Sequence, residues 1–226
     1  MILCKKMKKI IAPSLLSANL AFLHREIEML NESEADWFHI DIMDSSFVSN
    51  ISFGSLFTKH VKKYANKPID VHLMILQPES YIEQLKDSGA DHLHIHYEAS
   101  IHLNKTISSI KEYGMKVGVA VNPHTPIFLL QDIIKDLDFV LLMSVNPGSS
   151  GQKFIKQTYQ KLEDTKDLIL KKNSSALIEV DGGINLENAS YLFRNGADIL
   201  VAGTTIFSNS NPKKIIHKMK FCNNDF

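Results

Sequence analysis

The strongest constraint on this chain is a rhythm that runs from residue 10 to residue 220. Short apolar stretches alternate with charged-apolar stretches of helical period, eight of each. Residues 10–14, 37–41, 69–74, 91–96, 116–121, 139–144, 176–181 and 198–202 read as strands, because they are brief and their side chains repeat every two residues or are continuously apolar. Residues 21–30, 55–64, 79–88, 102–113, 126–135, 159–171, 186–195 and 212–220 read as helices. Three of these helical stretches stop at a glycine, Gly89, Gly114 and Gly196, a residue suited to ending a helix. Strands that alternate with helices specify parallel βαβ units. Eight such units predict an α/β chain folded as a single (β/α)8 TIM barrel, with an open doubly wound sheet as the alternative. No Gly/Ser/Pro linker divides the 226 residues, so one domain over residues 1–226 is expected, with residues 1–6 a disordered extension.

Charge and composition narrow the partners. Lys+Arg and Asp+Glu both number 25, so nothing recommends a nucleic-acid polyanion. No apolar run approaches the roughly 18 residues that span a bilayer, and no membrane association is expected. Lys5-Lys6-Met7-Lys8-Lys9 before Ile10-Ile11 imitates a signal peptide, but Pro13, Ser14, Ser17 and Asn19 interrupt the apolar stretch. Met7 is an equally good first residue. Two cysteines, Cys4 and Cys222, allow one bridge and no disulfide framework, which favours a reducing cytoplasm.

The chemistry gathers where the strands end. In Trp37-Phe38-His39-Ile40-Asp41-Ile42-Met43-Asp44, the alternation puts His39, Asp41 and Met43 on one face just before a loop. A barrel of this kind builds its site from several C-terminal strand ends at once. Those ends carry Ser14, His39 with Asp41, His72, His94 and His96, Asn122, Met143-Ser144, Asp181 and Gly203. Two histidines and two aspartates, from three strands, suit zinc, iron, manganese or cobalt with a position open for substrate. His94 and His96 are kept outside that set, as supporting or ordinary hydrogen-bonding groups. Met43, Met74 and Met143 fall at three strand ends, where they either pack the core or floor a pocket.

Glycines mark a second feature. Asn146-Pro147-Gly148-Ser149-Ser150-Gly151-Gln152, Asp181-Gly182-Gly183-Ile184 and Ala202-Gly203-Thr204-Thr205 follow three adjacent strands. Glycine lets backbone N–H groups approach an anion, and the loops after strands seven and eight are the usual phosphate cradle of a barrel. Neither a Walker sequence nor Gly-x-Gly-x-x-Gly is present, so no nucleotide is indicated.

The chain resembles the ribulose-phosphate 3-epimerases, of the ribulose-phosphate-binding barrels. The resemblance lies in Ile11-Ala12-Pro13-Ser14-Leu15-Leu16-Ser17-Ala18, His39-Ile40-Asp41-Ile42-Met43-Asp44, Val71-His72-Leu73-Met74, Met143-Ser144-Val145-Asn146-Pro147-Gly148, Glu179-Val180-Asp181-Gly182-Gly183-Ile184 and Val201-Ala202-Gly203-Thr204. It implies one divalent metal per subunit, usually zinc, held by His39, Asp41, His72 and Asp181. It further implies Asp41 and Asp181 as the catalytic acid/base pair for C3 epimerisation of D-ribulose 5-phosphate through an enediolate. Ser14, His72, the Gly148–Gly151 loop with Ser149 and Ser150, Gly182-Gly183 and Gly203-Thr204 would hold this phosphorylated ketopentose, in a homo-oligomer.

The chain departs from that pattern at Ser45, where the family usually has Gly, and at Ser49, where it usually has Pro. The phosphate loop usually reads Gly-Phe-Gly-Gly-Gln against Gly148-Ser149-Ser150-Gly151-Gln152 here. A left-handed backbone at Ser150 would cost ~1–2 kcal/mol, and the missing Phe predicts a looser cover over the substrate. A 3-epimerase of a ketohexose 6-phosphate and a non-catalytic sugar-phosphate-binding module are the competing readings. Ser52-Phe53-Gly54 and Gly182-Gly183 favour the pentose. The Asp-x-Lys-x-x-Asp motif of related decarboxylases is missing.

Overall fold

A computed structural model describes residues 9–222, so the expected extension at 1–6, Met7 as a start and the Cys4 half of any bridge lie outside the described residues. Eight apolar runs become eight strands: β1 (Ile10–Pro13), β2 (Phe38–Met43), β3 (Ile69–Met74), β4 (His92–His96), β5 (Lys116–Val121), β6 (Phe139–Met143), β7 (Leu177–Asp181) and β8 (Ile199–Ala202). All seven ladders are parallel, in the order β1-β8-β7-β6-β5-β4-β3-β2. A parallel bridge between Ser14 and His39 brings the two outer strands together and closes the circle. The result is a (β/α)8 TIM barrel, with helices α1 (Leu23–Asn31), α2 (Ser55–Tyr64), α3 (Ile82–Asp87), α4 (Leu103–Glu112), α5 (Thr158–Lys172), α6 (Leu186–Asn195), α7 (Thr204–Phe207) and α8 (Pro212–Lys220).

The helices form because each places apolar residues three and four apart on one stripe. Ile27 and Leu30 of α1, Val61 of α2, Ile107 and Ile110 of α4 and Leu192 and Phe193 of α6 are all buried. They pack with the outward-facing strand residues Ile11, Ile40, Val71, Leu93, Val119, Val140 and Val180 in one continuous core. Strands covered on both sides read as near-continuous apolar runs for this reason.

One device recurs around the N-terminal rim. Asp36, Asp91, Asp138 and Asp198 stand one or two residues before β2, β4, β6 and β8. Their carboxylates accept the backbone N–H of Ile11, Ile69, Val117 and Ile178 at 2.8–3.0 Å. Each also donates its own N–H to the carbonyl of that same residue at 2.8–2.9 Å. Every odd strand is thereby clamped to the start of the next even one.

Register then stacks the interior. Asp41 lies opposite His72, His72 opposite His94, and Met143 opposite Asp181. Trp37, His92 and Phe139 fill the N-terminal end, with Trp37–His92 and Trp37–Phe139 ring centroids 4.3 and 5.6 Å apart. Two residues further along come His39, Asp70, His94 and Glu179, all fully buried. Gly118 makes room for this layer: a Cβ there would sit 2.1 Å from His94 Nδ1. Above it stand Asp41, His72, His96 and Asp181.

One expectation is corrected. Residues 126–135 form two 3-10 turns, Ile127–Leu130 and Ile134–Asp136, instead of one helix. Ile127, Leu130 and Ile134 still bury their side chains, but Ile127, Ile133 and Ile134 are β-branched and weak helix formers, so tight turns meet the same burial. The four-residue α7 is too short for any period to announce it. Among the described residues, no helix is long and apolar enough to cross a membrane.

Candidate active site

The C-terminal mouth of the barrel opens into a cavity of about 420 Å³. Strand alternation delivers Asp41 and Met43 from β2, Met74 from β3, Met143 from β6 and Asp181 from β7 to its floor and walls. Ser14, Gly148, Ser149, Ser150, Gly151, Gly182, Gly183, Gly203 and Thr204 also line it, as do Asn146, Gln152, Lys153 and Phe154 among others. His39 and His72 lie just beneath, with no exposed surface. Asn122, although at a strand end, is not part of the lining.

Four side chains converge at the floor. His39, Asp41, His72 and Asp181 each offer a ligand atom, and these atoms all lie within 4.8 Å of one another. His39 Nε2 is 3.4 Å from Asp41 Oδ1 and 4.0 Å from Asp181 Oδ2. His72 Nδ1 is 3.1 Å from Asp41 Oδ1 and 3.8 Å from Asp181 Oδ2. Buried His39 Nε2 has no hydrogen-bond partner at all. A polar nitrogen stranded among two carboxylates and an imidazole is the arrangement a divalent cation satisfies, so the cluster can hold one. His39, Asp70 and Glu179 form a second such group one layer deeper.

The electrostatics separate the two carboxyls. Burial would raise Asp41, but the His39 charge and the hydrogen bond from His72 outweigh it and hold Asp41 well below the usual carboxylate range. Burial raises Asp181 to about 7, reinforced by the nearby Asp41 charge. Burial would lower His39, yet Asp41 and Asp70 hold it well above its ordinary value. Burial brings His72 down to about 3. Without a metal, Asp41 is therefore ionised while Asp181 still holds a proton in about half the molecules near pH 7, with a proton on His39 balancing the cluster.

Groups outside the expected set support it from below. His39 Nδ1 lies 2.7 Å from Asp70 Oδ2, and the other oxygen of Asp70 lies 2.7 Å from His94 Nε2. His72 Nε2 lies 2.9 Å from His96 Nε2, and His96 Nδ1 lies 3.1 Å from Glu98 Oε2. Burial and the Asp70 charge push Glu179 well above its ordinary value, so its carboxyl is neutral. Asp70 and Glu179 share the faces of His72 and Asp181 at a spacing of two, a signal the strand period already contained; Glu98 lies beyond its strand and had none.

The glycine-bearing loops interlock around the cavity. Gln152 Nε2 donates to the carbonyls of Asn146 and Ser149 at 2.7 and 2.9 Å, and Asn50 Nδ2 donates to the Gly148 carbonyl at 2.7 Å. Gly182 is irreplaceable on two counts: its φ is +116°, and a Cβ would lie 2.4 Å from Val145 Cγ2. In the 148–152 loop only Gly148 and Gly151 have positive φ, so Ser149 and Ser150 carry no left-handed strain. The strain anticipated at Ser150 sits instead at Ser45, with φ +63°.

Fold and site together define a (β/α)8-barrel enzyme with a buried His/Asp cluster below a glycine-lined mouth. Residues 10–207 match the ribulose-phosphate 3 epimerase family. The chain is 46% identical over 211 residues to ribulose-phosphate 3-epimerase of Bacillus subtilis, covering 93% of this chain and 97% of the relative. It is 40% identical over 204 residues to that of Synechocystis (89% of each) and 39% identical over 212 residues to that of Escherichia coli (93% and 94%). A tryptophan synthase α-subunit mutant from Pyrococcus furiosus superposes with a TM-score of 0.71 over 94% of this chain and 98% of its own, at 18% identity, which speaks for the barrel alone. The chain belongs to the ribulose-phosphate 3-epimerase family, and it is an epimerase.

Proposed function

We propose that this chain interconverts D-ribulose 5-phosphate and D-xylulose 5-phosphate by passing protons between Asp41 and Asp181 across a planar enediolate. One observation carries the reading: two carboxyls, Asp41 buried and Asp181 half-buried, face a common centre, and their surroundings drive their proton affinities apart. Family membership supports the choice of reaction.

In one direction the Asp41 carboxylate takes the C3 proton, and the electron pair of the C–H bond delocalises onto the C2 carbonyl oxygen. Neutral Asp181 then returns a proton to the opposite face of C3. Asp41 is left protonated and Asp181 ionised, the state the reverse direction starts from. Ser14 Oγ donates to Asp41 Oδ2 at 2.6 Å, which fixes the carboxylate's orientation. Met43, Met74 and Met143 present apolar surface that keeps water from the intermediate. Gly148–Gly151, Gly182-Gly183, Gly203-Thr204 and the start of α7 supply backbone N–H groups for the phosphate.

His39 Nε2, Asp41, His72 Nδ1 and Asp181 would hold a divalent cation, zinc foremost, with iron, manganese or cobalt also accepted by such donors. When bound, the ion supplies Lewis-acid stabilisation of negative charge on the substrate oxygens, worth several kcal/mol.

The test is deuterium incorporation at C3 of D-ribulose 5-phosphate in D2O, followed by NMR with and without chelator. Wild type is expected to exchange and epimerise, and chelation to suppress both. Asp41→Asn and Asp181→Asn should each lose about 10²–10⁴-fold in turnover while staying folded. Near-normal turnover in either variant would remove the two-base mechanism. Faster turnover of a ketohexose 6-phosphate would reassign the substrate.

A further inference from the structure

β2 and β6 stand opposite each other in the closed barrel, with three strands between them on either side. Loops leaving opposite strands have no need to meet, yet these two do. Residues 44–52 fold back after β2 as a strap. Its base is an antiparallel bridge between Asp44 and Ile51, and Ser45 N–H donates to the Asn50 carbonyl at 3.1 Å. Ser52 Oγ pins the returning end to the Asp41 carbonyl, and the Asp44 carboxylate accepts the Leu76 N–H at 2.9 Å.

Asn50 stands beside that bridge, and its Nδ2 donates to the Gly148 carbonyl, beyond β6, at 2.7 Å. Val48 packs on the same glycine: a Cβ at Gly148 would lie 3.0 Å from Val48 Cβ. Val48 also clusters with Met43 and Met74, with Phe47 at the edge. Phe47 lies against His96, their ring centroids 4.6 Å apart. The two loops thus meet over the mouth. Among the described residues, none between Met74 and Met143 lines the cavity, which lies toward β7, β8 and β1.

The 146–152 loop is otherwise tied only to itself. Gln152 Nε2 donates to the Asn146 and Ser149 carbonyls, and among the described residues the Asn50 amide makes the one hydrogen bond that reaches the loop from elsewhere. Internal hydrogen bonds set a loop's shape but not its place. The external bond fixes where that shape sits relative to the Gly182-Gly183 turn. Ser149 and Ser150 are exposed, so residues 148–152 bury no apolar side chain that could do the same. Ser150 and Gly151 line the cavity, and among the described residues their backbone N–H groups donate to no protein acceptor. Unpaired N–H groups beside a cavity are donors for an anion.

We propose that Asn50 is a positioning residue for the substrate's phosphate: through the Gly148 carbonyl it holds the 148–151 loop where the Ser150 and Gly151 N–H groups meet that anion. The inference rests on the sugar-phosphate reading of the cavity. It adds to that reading a side chain from the opposite side of the barrel that does not itself line the cavity.

The experiment compares the full-length wild type with Asn50→Leu, which keeps the size of the side chain and removes the donor, and with Asn50→Ala. Asn50 is exposed, so neither variant opens a hole in the core. Two probes are used: D-ribulose 5-phosphate turnover, and inorganic phosphate as a competitive inhibitor of it. In both variants the KM for the sugar phosphate and the inhibition constant of inorganic phosphate should rise together by about three- to tenfold, the worth of one hydrogen bond. The kcat should stay within about twofold, because the Asp41/Asp181 centre is untouched. A merely structural role would lower kcat as well. The proposal is overturned if both constants stay at their wild-type values, or if kcat falls while they do not move. Wild type that neither turns over D-ribulose 5-phosphate nor is occupied by inorganic phosphate overturns the sugar-phosphate reading itself, a failure visible before any variant is made.

Discussion

At the level of single residues, Ser45 and Asp181 lead to measurable consequences. Ser45 is exposed and held at φ +63°, where its Cβ is strained, while Asp44 beside it is fully engaged. Asp44 accepts N–H groups from Ser46, Phe47 and Leu76 at 2.7, 2.9 and 2.9 Å, so the loop cannot relax by turning elsewhere. Ser45→Gly relieves about 1–2 kcal/mol of left-handed strain and gives back about 0.5–1 as unfolded-chain entropy. A net gain of ~0.5–1 kcal/mol in urea unfolding is expected; no change, or a loss, would show that the loop bears no strain. For Asp181, the folded carboxyl is raised from 3.8 to about 7, so the native state keeps a proton that the unfolded chain releases. Its contribution to stability is complete below about pH 4 and is lost as pH rises to 7, then stays flat. Chelated wild type should therefore lose stability relative to Asp181→Asn across that window. Parallel stability curves for the two proteins would rule this out.

Elements are joined at the N-terminal rim by four aspartates acting alike. Each accepts one backbone N–H on a preceding strand, and each ties together the two strands of a βαβ unit. A hydrogen bond to a charged acceptor is worth ~1.5–3 kcal/mol when the partner is left stranded. Asp138→Ala, which orphans Val117 N–H, should cost that much in equilibrium unfolding, and Asp138→Asn less because the amide oxygen still accepts. Equal and negligible effects from both variants would show that the clamp is ornamental. The same element logic explains the histidine-rich β4: His92, His94 and His96 all point inward, and the neighbouring strand yields space for the middle one with Gly118.

On the scale of the molecule, the barrel buries an ionisable network through its axis, from Asp70, His94 and Glu179 up to Asp41 and His72, with Asp181 half-buried at the mouth. Such a network is destabilising unless something neutralises its mouth. Metal that binds only the native state should raise stability by about 2.7 kcal/mol at a free concentration one hundred times its dissociation constant. Zn2+ should therefore raise the melting temperature of chelated wild type and leave that of Asp181→Asn much less affected. Equal shifts in both proteins would place the stabilising ion elsewhere.

What the sequence determined by itself was everything carried by period. Alternation of two placed His39 with Asp41 and Met43; the strand–helix rhythm dictated the parallel barrel; and polar residues at strand ends pointed to its mouth. The backbone at 45 and 150 was not legible, because positive φ depends on how a loop is tied down by partners such as the Leu76 N–H, 31 positions beyond Ser45. Nor was the chain from His72 through His96 to Glu98, since register alone sets β3 against β4 and brings those rings into contact. Side-chain direction is a local property of the backbone, and the sequence holds it. Which side chains meet across strands depends on register and closure, and only the closed barrel decides that.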